Sequence, residues 1–571
     1  GWGHIDCSKT DNNHDDNRQL RKKHFARCCA GTKGLISWIH KQEEAVILTI
    51  RHMISRLRVS AGLSQEQFAA LFGVSRQSVQ KWESGVSVPE LEKLIKIVKY
   101  FDVSLDALAL ESDARITEEL NFSKRLKPKY ANLHEWESYS SNLLIEYQQA
   151  VEEGLDIQPY EDVFAAVARL PKNEIKKSLG DILFDVVLQA KTAKGYQYIE
   201  PSTLEEIRRL RNGTGQRLSV DKKTLESKIY GAWMGRICGC LLGKTVEGIK
   251  TKELIPFLKE TGNSPMHRYI RHTDLNDGIV DKYNFRFAGR CYADTVDGMP
   301  VDDDTNYIVL AQEIVEKYGR EFSPYDVSRA WLDLQSKDAY CTAERVAFCN
   351  FVKGFEPPES AVYQNPYREW IGAQIRGDYF GYINPGNPEL AAEMAFRDAS
   401  ISHVKNGIYG EMFVAAMLAV AACTDSIHDI LSGGLAQIPH TSRLYETITH
   451  VLTGFENGVS QQDCFKTIHN RYDEYSEHGW CHTLSNAAIV AASLLYGNGR
   501  FGHSICMAVE AGFDTDCNGA TVGSVLGMAK GIGSIDERWT EPIHDTLHTS
   551  IFGVGTVRIS DRVKRTLSHI P

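Results

Sequence analysis

Five aspartates fall within the eleven residues from Asp294 to Asp304, and the last three, Asp302, Asp303 and Asp304, are consecutive. Adjacent carboxylates repel one another and are costly in a semi-buried setting unless a cation neutralises them. A helical pattern, Tyr307 to Tyr318, follows at once, so one of the three can serve as a cap that gains from the helix dipole. Capping does not account for all three. About 210 residues later, Asp514 and Asp516 open another helical stretch in Gly512-Phe513-Asp514-Thr515-Asp516-Cys517-Asn518-Gly519-Ala520. It begins like an EF-hand loop, but its twelfth position is Val525 where a calcium loop needs a bidentate Glu. Ala520, Gly523 and Gly527 predict instead a helix packed closely on another. Any fold of this chain is therefore expected to bring two distant helix starts together. Their oxygen ligands suit one or two Mg2+ ions, and Mn2+ also fits.

The rest of the pattern is compatible with that demand. From Thr224 onward the chain is rich in Gly and Ala at helical spacing and poor in β-branched alternation, which gives an all-α class. The longest apolar run, Met412 to Cys423, has twelve residues, too few to span a bilayer, so a buried helix is expected and no membrane partner. A chain of 571 residues exceeds one ordinary core. Residues 1–52, with the basic run Arg21-Lys22-Lys23, read as a disordered leader. Residues 53–112 hold five short helical patterns. Residues 113–223 read as a helical connector or oligomerisation module, with patterns at Asn132–Glu153, Tyr160–Leu170, Lys172–Lys194 and Thr203–Arg211. Residues 224–571 form the large C-terminal domain. Thirteen dispersed cysteines without a CxxC pair, and no secretory pattern at the start, place the chain in the reducing cytoplasm. A net charge of −10 means that any nucleic-acid contact comes from one local surface.

That surface is expected between Ser64 and Gly85. Ser64 and Gln67 make a capping box, Gly73 suits a tight turn, Ser75 caps a second helix and Gly85 ends it. Phe68, Ala69, Leu71, Val74, Val79 and Trp82 fall where two crossing helices would bury them. This leaves Arg76, Gln77, Ser78 and Lys81 outward, with Gln65 at the start of the first helix to hold the DNA backbone. Arg and Gln read purine edges bidentately, whereas Lys suits a phosphate. The competing reading is a helix-turn-helix used only for protein contact. Residues 51–113 carry eight Lys/Arg and eight Asp/Glu, so affinity would rest on a local basic face and on a homodimer. The segment resembles the xenobiotic-response-element branch of the Cro/C1 helix-turn-helix family, which implies a five-helix domain bound to an operator.

A second resemblance covers Ser227 to Gly533. Gly231-Ala232-Trp233-Met234-Gly235-Arg236-Ile237-Cys238-Gly239-Cys240-Leu241-Leu242-Gly243-Lys244-Thr245-Val246-Glu247-Gly248 is similar to the opening helix and following Glu of the ADP-ribosylglycohydrolase family, of the dinitrogenase reductase-activating type. Asp302–Thr305 resembles its metal motif, Asp398–His403 its Ser/Thr-His helix, and Gly512–Ala520 its terminal acidic signature. The sequence departs from the family pattern at Asp302 and at Cys517, where Thr or Ser is usual, and Asn384-Pro385-Gly386-Asn387 matches its phosphate loop poorly. The resemblance implies a large orthogonal all-helical domain and hydrolysis of the ribosyl bond of an ADP-ribosylated substrate. It makes Asp303, Asp304, Asp514 and Asp516 metal ligands, with Asp302 a further candidate ligand from the acidic run, and Glu247 an acidic residue beside the centre. Cleavage at a ribosyl carbon needs an oriented sugar, an activated water and protonation of the leaving group. Asp303 or Glu247 supplies the catalytic acid or base, with the choice left open. His403 is a candidate substrate contact against a core reading, His482 reads as structural, and Tyr379-Phe380-Gly381-Tyr382 is weighed between adenine stacking and core packing. The alternative function is a transcriptional regulator whose C-terminal domain senses ADP-ribose without turnover.

Overall fold

The computed structural model describes residues 50–101, 103, 129–213, 217–283 and 290–571. The chain divides into two compact units, residues 1–128 and 129–571.

In the first unit, α1 is helical over 50–60, followed by α2 (Gln65–Phe72), α3 (Arg76–Ser84) and α4 (Leu91–Phe101). The capping box at Ser64 forms as expected, and Gly73 and Gly85 close α2 and α3 in the left-handed region, at φ 63° and 77°. Phe68, Ala69, Phe72, Val79, Trp82 and Ile97 build the core. Two expectations are corrected. Leu71 is 46% exposed and Phe72 takes its place, because positions 68, 69 and 72 share one helical face and 71 does not. Ile50 also packs into this core, so the folded module starts no later than residue 50, not at 53. The remainder of the 1–52 leader, the expected fifth helix, and the connector's residues 113–128 and 214–216 lie outside the described residues.

Among the described residues the second unit is helical apart from one antiparallel hairpin, β1 (Thr546–His548) with β2 (Thr556–Arg558), Leu547 facing Val557. The stretch expected as a connector supplies α5 (Leu143–Glu152), α6 (Glu161–Ala168), α7 (Glu174–Gln189) and α8 (Leu204–Leu210). It belongs to the same compact unit as the C-terminal helices. Buried Arg368 pairs with Glu146 (2.9 Å) and Glu153 (2.6 Å), while Arg443 pairs with Glu200 (2.7 Å) and Glu369 (2.8 Å). Deleting one member of such a pair leaves a charge buried and uncompensated, which fixes this stretch in one place.

The functional helices are α9 (Lys222–Lys244), α10 (Asp303–Tyr318), α11 (Thr342–Val352), α12 (Lys405–Ala421), α13 (Thr483–Tyr496) and α14 (Thr515–Lys530). The apolar run beginning at Met412 is buried within α12 and the turn that follows it, and no helix among the described residues is long and apolar enough to cross a membrane. The central contact is between α9 and α14, which run antiparallel with backbones touching. A Cβ on Gly239 would stand 1.9 Å from the Gly519 carbonyl oxygen, and one on Gly235 2.2 Å from that of Gly523. Gly231 meets Gly527 in the same way, and Gly243 meets the Thr515–Asp516 backbone. Glycine at every fourth position thus aligns the C-terminal end of α9 with the N-terminal end of α14.

Candidate metal centre and DNA-reading helix

The two acidic segments meet. Ligand atoms of Asp304, Asp516 and Cys517 lie within 4.8 Å of one another, as do those of Cys240, Asp302 and Asp304. Three devices place them. Asp302 is the N-cap of α10: its Oδ1 accepts the Asp304 N–H (2.9 Å) and its Oδ2 accepts from Lys244 at the end of α9. Backbone hydrogen bonds between Met299 and both Thr546 and His548 anchor the entering strand on the hairpin. On the other side, positive φ at Gly512 (73°) and Phe513 (57°) turns the chain sharply into α14; for Phe513 this is strained backbone. Thr515 Oγ1 donates to Gly243 O (2.9 Å), and Asn486 Oδ1 accepts both the Asp514 N–H (3.1 Å) and Asn518 Nδ2 (2.8 Å).

Asp304 is oriented by Arg236, a guanidinium of 0% exposure in the middle of α9. Its Nη2 donates to Asp304 Oδ1 (2.7 Å), its Nε to the Asp304 carbonyl (2.7 Å) and its Nη1 to Asp378 Oδ1 (2.7 Å). Asp304 Oδ2 and Asp516 Oδ1 are buried yet accept no hydrogen bond. Asp303 is half-buried, Glu247 lies exposed in the turn after α9, and neither carboxyl has a hydrogen bond among the described residues. Arg290 holds that turn through the carbonyls of Thr245 (3.1 Å) and Glu247 (3.0 Å).

The electrostatics follow from crowding. Burial, with the charges of Asp302, Asp304 and Glu247, holds the Asp303 carboxyl well above the usual carboxylate range. Burial raises Asp304 to about 8 against the pull of Arg236, helped by Asp302 and Asp514. Desolvation and the charges of Glu247, Asp514 and Asp302 do the same to Asp516. Glu247 is exposed as a residue, but its carboxyl faces the crowded cluster, where desolvation, then Asp514 and Asp302, push it up to about 7. Lys244 and Arg236 do not offset this excess of negative charge. A divalent cation would neutralise it, and the two orphaned oxygens are hard donors of the kind Mg2+ takes. The residues present therefore fit such an ion, with Asp304 and Asp516 contributing free oxygens. Asp302, expected as a ligand, has both oxygens engaged in capping and ion pairing.

The remaining candidates separate from this cluster. His403, expected at the substrate, is 1% exposed, hydrogen-bonded through Nδ1 to Ser402 Oγ (2.8 Å) and held neutral by burial and by Arg376. It sits in the core, with its Nε2 buried and without a hydrogen-bond partner. Tyr379 and Tyr382 are buried too, bonded to His569 (2.6 Å) and Ser524 (2.7 Å), so adenine stacking is not available to them. His482 caps α13 by accepting the Leu484 N–H (3.1 Å), the structural role expected. A second cluster, Glu152, His478 and His482, has metal-like spacing. However, both Nδ1 atoms accept hydrogen bonds, His478 from Trp370 Nε1 (3.2 Å), so the ring protons sit on the Nε2 atoms that face Glu152. No lone pair remains there for a metal.

Sequence reasoning missed Arg236, Lys244, Cys240 and Asn486. Arg236 had a legible signal: a charge inside the small, apolar run Trp233–Leu242 requires a buried partner.

In the N-terminal unit, Arg76, Gln77 and Lys81 are exposed on α3, and so is Gln80, which the sequence reading passed over. Ser78 is half-buried and bonded to the capping Ser75 (2.8 Å). Arg76 pairs with Glu66 (2.9 Å) at the surface, an exchange a phosphate or guanine can outcompete because exposed pairs contribute only about 0–1 kcal/mol. Gln65 is engaged by Glu83 (2.7 Å), which also holds Arg58 (2.5 Å).

A family model described as ADP-ribosylglycohydrolase matches residues 221–566, and one described as helix-turn-helix matches residues 54–108. The chain is 36% identical over 77 residues to the HTH-type transcriptional activator BcrR of Enterococcus faecalis, over 14% of this chain and 38% of that protein. It is 33% identical over 73 residues to the cryptic phage CTXphi transcriptional repressor RstR of Vibrio cholerae, over 13% of this chain and 66% of the repressor. The chain thus spans less than two thirds of the length of either. A solved structure described as an ADP-ribosylglycohydrolase-related protein complex is similar at 19% identity and TM-score 0.38, covering 61% of this chain and 98% of that one.

Proposed function

The chain belongs to the ADP-ribosylglycohydrolase family, whose model spans residues 221–566, and on that premise we propose a divalent-metal-dependent hydrolase of a ribosyl glycosidic bond, directed or regulated by a DNA-binding helix-turn-helix. The observation that carries this reading is the convergence of Asp304 with Asp516 and Cys517 across about 210 residues of chain. One or two Mg2+ ions, with Mn2+ as a substitute, would orient the ribose hydroxyls and lower the pKa of a bound water. Asp304 and Asp516 would hold the ion, with Asp303, Asp514 and Asp302 completing or supporting its surroundings. Arg236 and Lys244 keep those carboxylates aimed and partly neutralised. Asp303 and Glu247 are the two carboxyls free of hydrogen bonds among the described residues, which leaves either of them able to take or give a proton. Protonation of the departing group and removal of a proton from water are then divided between them.

At the other end, α3 would enter the major groove of an operator, Arg76 and Gln77 reading bases while Lys81 contacts phosphate. Ser78 and Gln65 would support the backbone contact. Sequence similarity to two transcriptional regulators supports this half. A homodimer in the cytoplasm, reading a two-fold operator, is the form in which so small a basic face would bind well.

The test is release of free ADP-ribose from a panel of ADP-ribosylated proteins, nucleic acids and small molecules, with Mg2+ or with a chelator. We expect chelator-sensitive release that Asp516→Ala abolishes together with Mg2+-linked thermal stabilisation. Release insensitive to both would refute the metal centre. Binding of ADP-ribose without any release from the panel would replace the hydrolase by a sensor.

A further inference from the structure

The cluster at the head of α14 is not built from oxygen alone. Cys517 follows Asp516 in the first turn of that helix, is 5% exposed, and its Sγ lies within 4.8 Å of ligand oxygens on both Asp304 and Asp516. Those are the residues whose Asp304 Oδ2 and Asp516 Oδ1 are buried without hydrogen bonds. A tetrahedral ion with bonds of about 2.0–2.3 Å keeps its ligand atoms roughly 3.3–3.8 Å apart, and the atoms of this trio are separated by no more than 4.8 Å. The neighbouring trio of Cys240, Asp302 and Asp304 is less open, because Asp302 is engaged by the Asp304 N–H and by Lys244. The donor set available at one point is therefore two carboxylates and one sulfur. Mg2+ is indifferent to sulfur and keeps its waters, whereas Zn2+, Co2+ and Cd2+ gain strongly from a thiolate.

We propose that Cys517 is a sulfur ligand of the centre, so that a thiophilic divalent ion binds between Asp304, Asp516 and Cys517 in competition with Mg2+. The inference rests on the reading of this cluster as a divalent-metal site and goes beyond it in naming the ligand and the class of competing ion. On coordination the S–H bond is replaced by a sulfur–metal bond and the proton passes to solvent; nothing is oxidised or reduced. An ion held this way would tie Asp304 and Asp516 to itself, and the chain would be silenced by zinc at concentrations that leave an oxygen-only centre loaded with Mg2+.

The experiment uses the full chain, stripped with a chelator and titrated with Cd2+ while the sulfur-to-cadmium charge-transfer absorption is followed, with and without saturating Mg2+. Other cysteines contribute absorption that Mg2+ does not displace, so the diagnostic signal is the Mg2+-sensitive part. We expect that part in the wild type and in Cys240→Ser, and its loss in Cys517→Ser, which should retain the Mg2+-linked thermal shift. A Mg2+-sensitive band that survives in Cys517→Ser, or is missing from the wild type, would overturn sulfur ligation. Absence of any Mg2+-linked thermal shift in the wild type would instead refute the metal-site reading beneath it. Should Cys517→Ser fail to fold, calorimetry of the wild type in buffers of different ionisation heat decides: displacement of Mg2+ by Cd2+ releases one proton if sulfur is a ligand and none if it is not.

Discussion

Replacing Gly239 by alanine tests whether the α9–α14 contact is what assembles the centre. The added Cβ would stand 1.9 Å from the Gly519 carbonyl oxygen, whereas real Cβ atoms essentially never come closer than 3.0 Å, so the helices must part by about 1 Å at that point. The obstacle is backbone on both sides and cannot rotate away. Overpacking of a tight core costs about 1–3 kcal/mol, and a rigid wall places this site at the upper end. Alanine returns about 1 kcal/mol of helix propensity. The net loss is therefore about 2 kcal/mol. For a unit as long as residues 129–571 this is a fall of only about 2 °C in melting temperature, since the unfolding entropy scales with length. The functional effect should be larger. A parting of about 1 Å, one turn from Gly243 and Asp516, displaces that carboxylate relative to Asp304, and misplacement on this scale costs about a hundredfold in rate. Thermal melts with and without Mg2+, together with ADP-ribose release, measure both. Gly533→Ala is the control, because nothing lies within 4 Å of its Cβ position. A Gly239→Ala protein with wild-type melting, Mg2+ response and turnover would refute the claim that this contact positions the site.

Three further outcomes are expected. Arg236→Met removes the buried partner of Asp304 and Asp378 and should cost about 3–5 kcal/mol, read in denaturant melts, because two carboxylates are left uncompensated; a loss under about 1 kcal/mol would contradict the pairing. In chelator, stability should fall as pH rises from about 5 to about 8: folded Asp304 and Glu247 keep protons up to about 8 and about 7 that unfolded carboxyls release near pH 4, so the folded state binds more protons across that window. Saturating Mg2+ should flatten the slope, and a rise of melting temperature with pH in chelator would show the sign to be wrong. Arg76→Ala combined with Gln77→Ala should cost about 1–3 kcal/mol per lost base contact in operator binding while leaving glycosidic hydrolysis intact, measured by salt-controlled titration and by ADP-ribose release; loss of both activities together would mean the two halves are not separable.

Much of this chain is decided locally. The capping box at Ser64, the glycines that end α2 and α3 and the exposed side chains of α3 depend on residues within a few positions of one another, and those were legible. So was the all-helical class, which rests on periodicity, and so was the pressure on two aspartate clusters to find a cation, which follows from like charges placed side by side. What the sequence did not contain is the three-dimensional pairing that apportions the work. Asp302 looks like a third ligand, and only the fold shows that it also caps α10, which begins at Asp303, and pairs with Lys244 arriving from α9. His403 looks available until the core closes over it. Cys517 stands beside Asp516 in any reading, but only the tertiary structure carries it to Asp304: the antiparallel seam sets the start of α14 against the end of α9, and Arg236 of α9 holds Asp304 at the start of α10, neither of which is local to the two aspartate segments.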